Sequence, residues 1–327
     1  MATPVNIPKT PRRPFLSRGL AAALCLFLPA SPFGVTTALA QSEAAEAPMT
    51  RRVPAQIDQN LIRLDSGADE EVSRELWSAF EGERWVRNVN QPTLLPVLPE
   101  PDVANGAGIL LIPGGGFQFI SIDNEGYRIA EPLVALGYTV FVLKYRTMPT
   151  PESESEFSDH MRQVFAGEPP YGEIDRSVGE ALAVADAIDA WQLIQDQAQA
   201  FDINPGRVGV LGFSAGAVTA LGLARDVQDI PPAFLGYIYG PMGTGVLPAS
   251  PPPLFAALAA DDPLYAGQGF ALIEDWQSTG APVQFHYYEN GGHGFASYRR
   301  GTQADDWLAH FTAWLGHRDL AEQSEQD

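Results

Sequence analysis

Arg207-Val208-Gly209-Val210-Leu211 runs directly into Gly212-Phe213-Ser214-Ala215-Gly216. The first five residues read as a strand, and Ala215 to Arg225 reads as a helix. Between them lies G-x-S-x-G, which in that setting lifts a serine out of a sharp strand-to-helix turn. The glycines allow the turn and keep side chains away from the serine. Ser214 then stands at a helix N-terminus, where developing negative charge is favoured. The bare motif would equally suit a glycine-flanked turn with an inert serine, so its neighbours must carry the reading.

Outward from this junction, strand and helix signals alternate. Ile109-Leu110-Leu111-Ile112 is a continuous apolar run, the mark of a strand buried on both faces. Glu125 to Leu136 reads as a helix ending at Gly137, and Tyr138 to Leu143 as another buried strand. Val178, Leu182, Ala185, Ile188, Trp191 and Ile194 keep helical spacing. Strands follow at Phe234 to Tyr239, Leu254 to Leu258 and Val283 to Tyr288, with helices at Phe270 to Ser278 and Asp305 to Leu315. Thr93 to Leu98 is a further strand. Val72, Leu76 and Phe80 predict an amphipathic helix over Asp69 to Phe80. The pattern defines an α/β fold: a mostly parallel sheet with helices on both faces, one domain over 65–327 after a flexible lead-in, 41–64. In such sheets chemistry gathers at the carboxyl ends of strands. The connection from Thr147 to Asp175 is unusually long. It has a short helical patch near Met161 to Phe165, and Phe157, Met161, Phe165 and Tyr171 could wall a pocket, so it reads as a lid or as a solvated insertion.

Three more loops that follow strands carry chemistry. Pro113-Gly114-Gly115-Gly116-Phe117 stands where backbone N–H groups could meet a carbonyl oxygen that gains charge, and Gly115 and Gly116 with Ala215 are the expected donors. A phosphate cradle is the weaker reading, because no Lys-Ser/Thr follows and no G-x-G-x-x-G spacing exists. Asp261-Asp262-Pro263-Leu264 offers a carboxylate to orient a histidine, and the residues alone leave Asp261 and Asp262 open. Gly291-Gly292-His293-Gly294-Phe295 places a histidine on a glycine loop, able to receive and return a proton. Of the other histidines, His286 lies in a strand, His310 on the last helix, and His160 and His317 read as exposed. Ser214, an Asp and His293 follow in the chain order Ser…Asp…His.

At this point the sequence resembles the α/β-hydrolase family over Thr93 to Leu315. The resemblance is closest to secreted carbohydrate esterases of the acetylxylan-esterase and feruloyl-esterase kind. It is carried by Ile112 to Phe117, Asn124-Glu125-Gly126, Val142-Leu143-Lys144-Tyr145-Arg146, Gly212 to Gly216 and Gly292 to Phe295. It implies that the Asp before Pro-Leu, Asp262, is the acid. Pro113 stands where the hormone-sensitive-lipase-like pattern has His, which argues against that branch. The implied activity is serine ester hydrolysis of short acyl groups, acetyl first, on a carbohydrate or similar alcohol. It needs no metal or cofactor. Two other readings stay open: a serine peptidase of the same fold, and a catalytically inactive binding protein.

The first 40 residues read as a separate object, a secretory signal peptide. Lys9, Arg12, Arg13 and Arg18 precede the apolar Leu20 to Leu28, and Ala38-Leu39-Ala40 is a cleavage signal. Arg12-Arg13-Pro14-Phe15-Leu16 fits twin-arginine export, and an ordinary Sec signal fits as well. Cys25, the only cysteine, lies inside the leader, and no lipid anchor is expected. The chain carries 20 basic and 40 acidic residues, and cleavage would remove four of the basic ones. That acidity argues against nucleic acid or anionic polymers as partners. The leader makes the expected location periplasmic or extracellular, and no second apolar stretch is long enough to span a membrane.

Overall fold

The computed structural model describes residues 48–56, 58–67, 72–166 and 175–318, so the leader 1–40 and Tyr171 lie outside the description. The larger sheet centres on six parallel strands: β6 (Gly108–Ile112), β8 (Thr139–Lys144), β9 (Val208–Phe213), β10 (Leu235–Ile238), β11 (Leu254–Ala259) and β12 (Val283–Tyr288). Two antiparallel strands extend one edge, β5 (Thr93–Val97) and β2 (Ile62–Arg63), giving the order β12-β11-β10-β9-β6-β8-β5-β2. Every residue of β6, β8, β9, β10 and β11 is buried, which is why these strands read as unbroken apolar runs and not as alternating ones. Helices α1 (Arg128–Ala135), α3 (Arg176–Asp196), α4 (Ala215–Asp226), α5 (Ala271–Ser278) and α6 (Trp307–Gly316) cover the sheet. Their inward side chains build one core, where Phe311 and Trp314 of α6 lie 5.2 and 5.6 Å from the Phe255 ring.

The strand order places the site. From β6 the chain steps outward to β8, then returns across the sheet to β9 on the other side of β6. The loops after β6 and β9 therefore diverge and leave a crevice between them, the topological switch point of an open α/β sheet. Ile112 pairs with Gly212, so the glycine loop and the serine turn leave the sheet side by side.

Two sequence expectations fail at the N-terminal side. Asp69 to Phe80 is not a helix: its described C-terminal part is β3 (Leu76–Phe80), paired antiparallel with β4 (Glu83–Arg87). The i, i+4, i+8 spacing misleads because Val72 is exposed, whereas Trp77 and Ala79 are buried in a hairpin whose turn, Glu81-Gly82, takes positive φ at both residues. The described part of the lead-in is not free chain either. β1 (Arg51–Arg52) pairs with β3, and Thr50 N donates to Ser158 Oγ at 3.1 Å. Sequence patterns at 41–54 carry no trace of this, because the partners lie far along the chain. With β7 (Phe119–Ile120), these strands form a second sheet, β1-β3-β4-β7.

The long connection holds a helix, α2 (Glu154–Ala166), much longer than the patch expected. It is bolted to the small sheet. Arg87 of β4, wholly buried, donates to Glu154 Oε1 at 2.8 Å, to Ser78 Oγ at 3.0 Å and to Glu152 O at 3.0 Å. Thr50 Oγ1 donates to Glu154 Oε2 at 2.8 Å. Removing one partner of a buried pair strands the other. Arg87→Met should therefore lower the unfolding free energy by about 3 kcal/mol, the low end for such pairs because Arg52 and Thr50 still hold Glu154. Denaturant unfolding checks this, and a loss under about 1 kcal/mol would mean the bolt is dispensable.

Candidate active site

Ser214 sits between β9 and α4 with φ 51° and ψ −117°, a conformation that non-glycine residues seldom adopt. Its surroundings enforce it. Ser214 N donates to Ile238 O at 2.9 Å, and Ser214 O accepts from Ala217 N at 3.0 Å. The flanking glycines are dictated by close approach: a Cβ on Gly212 would lie 2.2 Å from Gly216 O, and one on Gly216 would lie 2.0 Å from Ile112 O. The turn thus packs backbone to backbone against the end of β6.

The structure brings Ser214, Asp262 and His293 into one hydrogen-bonded chain. Asp262 follows β11 and is fully buried; its Oδ2 accepts from His293 Nδ1 at 2.8 Å. A carboxylate only accepts, so Nδ1 carries the proton and Nε2 of the neutral ring is an acceptor. The Ser214 hydroxyl accordingly donates to Nε2, at 2.9 Å. The second oxygen of Asp262 accepts from Leu264 N at 2.8 Å and Tyr265 N at 3.3 Å, which fixes the carboxylate plane. Asp261 points elsewhere: it is exposed and accepts from Gly292 N at 2.7 Å, bracing the histidine loop. Of the pair left open by the sequence, Asp262 is the one that meets His293.

Planar peptide geometry orients the N–H groups beside Ser214. A trans peptide sends its N–H opposite its C=O. Gly114 O accepts from Ser121 N at 3.0 Å, and Gly115 O from Gln118 N at 3.0 Å and Phe119 N at 3.2 Å. Those carbonyls face inward to the loop, so the N–H groups of Gly115 and Gly116 face outward. Ala215 N–H opens the first turn of α4, where no intrahelical acceptor exists. Gly115 has φ 132°, and a Cβ there would lie 1.9 Å from Phe119 O, so only glycine permits this loop. All three residues line the cleft with Ser214 and His293.

Several residues that sequence reasoning left without a role surround this chain. A π-helical turn, Ile122–Tyr127, buries three consecutive polar side chains. Asp123 accepts from Arg84 N at 2.9 Å. Asn124 Nδ2 donates to Gly294 O at 3.1 Å, and its Oδ1 accepts from Ser297 Oγ at 2.7 Å, clamping the loop that carries His293. Glu125 Oε2 accepts from Gly114 N at 2.5 Å, and its Oε1 accepts from Tyr239 Oη at 2.8 Å. Burial pushes the Glu125 carboxyl up from the ordinary glutamate value. Tyr239 follows β10 and lies edge-on to His293, with ring centres 5.0 Å apart. The only sequence signal for any of them was Asn124-Glu125-Gly126, on which part of the resemblance rested. His160, expected to be exposed, is half-buried on α2 and bonded to Gln118.

The fold and this crevice define an α/β hydrolase. A model of the dienelactone hydrolase family matches residues 100–318, and the chain belongs to that family. An acetylxylan esterase of Xylanibacter ruminicola is 30% identical over 116 residues, which are 36% of this chain and 18% of that protein. The match thus spans under a fifth of that relative. Among solved structures, MGS-M1, an α/β hydrolase from a Medee basin deep-sea metagenome library, superposes with a TM-score of 0.52 at 21% identity, over 80% of this chain and 98% of the other. An acetyl ester-xyloside bifunctional hydrolase from Caldicellulosiruptor lactoaceticus gives 0.53 at 19% identity, over 70% and 89%. The propionate-bound esterase 2 of Thermogutta terrifontis gives 0.53 at 16%, over 70% and 90%. At these identities the likeness is one of fold.

Proposed function

We propose that this protein is an exported serine esterase that hydrolyses short acyl esters of a carbohydrate or similar alcohol. The observation that carries the reading is the chain Ser214–His293–Asp262, at 2.9 and 2.8 Å, opening on a cleft of about 450 Å3. His293 Nε2 takes the proton of Ser214 as Oγ attacks the ester carbonyl. Asp262 holds the ring's tautomer and stabilises the imidazolium. The N–H groups of Gly115, Gly116 and Ala215 receive the oxyanion, whose charge exists only after attack. The tetrahedral intermediate collapses, His293 gives its proton to the departing alcohol, and an acyl-enzyme remains. Water then attacks the acyl carbonyl, giving one proton to His293, which returns it to Ser214 Oγ as the acid is released. Export rests on the basic, apolar and small-residue sequence of 1–40.

The substrate reading leans on the name of the Xylanibacter relative and on the cleft's chemistry. Trp85 and Phe119 stack at 4.3 Å, and with Phe80, Met161 and Val164 they line one part of the cleft. Flat aromatic faces suit the C–H face of a sugar ring. The same apolar wall favours a second reading, a longer acyl chain. Labelling of Ser214 by a fluorophosphonate tests for the nucleophile. Comparing p-nitrophenyl acetate with an aminoacyl nitroanilide then separates esterase from peptidase, and an unlabelled, inactive protein would be a binding protein. Acetylated xylan, turned over faster than p-nitrophenyl octanoate, is the expected result for the carbohydrate reading.

Because α2 forms part of the wall, it should govern substrate size and not the bond-breaking chemistry. Met161→Trp should raise KM for octanoate esters at least about fivefold and leave kcat for the acetate ester within about twofold. Equal kinetics across acetate, butyrate and octanoate esters in both proteins would show that α2 takes no part in selection.

A further inference from the structure

Glu125 is an acid buried where the esterase mechanism assigns no acid. It is 4% exposed and lies on a π-helical turn, an arrangement that recurs at functional sites. Its two oxygens reach two different parts of the site. One holds Gly114 N at 2.5 Å; the other holds the hydroxyl of Tyr239 at 2.8 Å.

The first contact has a particular consequence. Gly114 N–H and Pro113 C=O belong to the same peptide plane. Tyr145 Oη, also buried, donates to Pro113 O at 3.0 Å. That plane is therefore held at both ends by buried side chains, and rotation about its axis would break both bonds. The next two peptides are those whose N–H groups face outward from the loop, in the cleft that Ser214 also lines. Gly114 itself is wedged: a Cβ there would lie 2.6 Å from Phe213 O and 2.9 Å from Glu125 Oε2, so the loop fills the whole gap between the serine turn and Glu125. The second contact ends at the histidine. Tyr239 is fully buried at φ 38°, and its ring packs 5.0 Å from His293 and 4.7 Å from Phe295 on the same loop.

We infer that Glu125 is a positioning residue: through Gly114 it sets the direction of the Gly115 and Gly116 N–H groups, and through Tyr239 it sets the His293 ring, so that both converge on one carbonyl carbon. This rests on the serine-esterase reading above. Burial pushes the carboxyl up, while the Gly114 and Tyr239 donors and the nearby His293 pull it back, as a group wired to both halves of the site would show. A hydrophobic side chain of the same size would fill the space and orient neither half. Glutamine keeps an acceptor for Gly114 N–H and leaves the Tyr239 hydroxyl proton poorly served.

The test uses the full-length protein and four forms: wild type, Glu125→Gln, Glu125→Leu and Tyr239→Phe. Each is titrated with a fluorophosphonate, so that kcat is expressed per reactive Ser214 and misfolded protein drops out. Glu125→Leu should lose about 100-fold in kcat for p-nitrophenyl acetate, the scale for losing an oxyanion donor, with KM within about threefold. Glu125→Gln should fall between, within about tenfold of wild type, and Tyr239→Phe likewise. Should Glu125→Leu fail to fold, the other two variants decide: kcat unchanged from wild type in both Glu125→Gln and Tyr239→Phe overturns the inference. Wild-type kcat in Glu125→Leu, or a loss in Glu125→Gln as deep as in Glu125→Leu, overturns the inference. Absence of labelling in the wild type would instead overturn the serine-esterase reading.

Discussion

Ser214→Ala should lower kcat for p-nitrophenyl acetate by about 10⁴-fold or more and abolish fluorophosphonate labelling, while the protein unfolds as the wild type does. The loss is large because His293 then has no hydroxyl to activate, and the oxyanion donors alone give only residual acceleration over water. Stability should hold because the turn is kept by backbone contacts and not by the Ser214 side chain: Ser214 N to Ile238 O at 2.9 Å and Ala217 N to Ser214 O at 3.0 Å. Near-wild-type turnover in this variant would sink the entire serine mechanism, whatever the substrate.

The second large effect separates two adjacent acids. Asp262→Asn should cost about 10⁴-fold in kcat, whereas Asp261→Asn should cost less than about tenfold. Asp262 is fully buried, and its Oδ2 accepts the His293 Nδ1 proton at 2.8 Å. Its Oδ1 is engaged by Leu264 N at 2.8 Å, so the amide of an asparagine would keep that oxygen and turn its NH2 toward the ring. The imidazole would then shift its proton to Nε2, the nitrogen that must accept from Ser214. Asp261 is exposed, and its bond to Gly292 N at 2.7 Å braces the histidine loop without touching the ring. Steady-state kinetics of the two variants at neutral pH decide the matter. The reverse order would transfer the role to Asp261.

The contrast between these neighbours shows how far local reading reaches. Successive residues at a strand end face opposite ways, so the sequence could tell that one Asp turns inward but not which. Likewise Pro113 to Phe117 was legible as a glycine loop after a strand. The outward direction of the Gly115 and Gly116 N–H groups instead depends on bonds from Ser121, Gln118 and Phe119 to the loop carbonyls. Asp69 to Phe80 went astray for the same reason: helical spacing was present, but pairing with β4 and the buried Trp77 overrode it.

By itself the sequence determined the α/β alternation, the serine turn and the loops that carry Gly115, Asp262 and His293. Each of those signals is short-range: an unbroken apolar run marks a doubly covered strand, and glycine marks a turn that crowds its own backbone. Only the tertiary structure decided which side chains meet. Tyr239 reaches Glu125 across 114 residues, Asn124 reaches Ser297 across 173, and Thr50 reaches Ser158 across 108. The physical reason is that a buried hydrogen bond between distant residues leaves no periodicity in either segment. Its partners are chosen by strand order and by the need to satisfy every buried polar group, and both exist only once the sheet has formed.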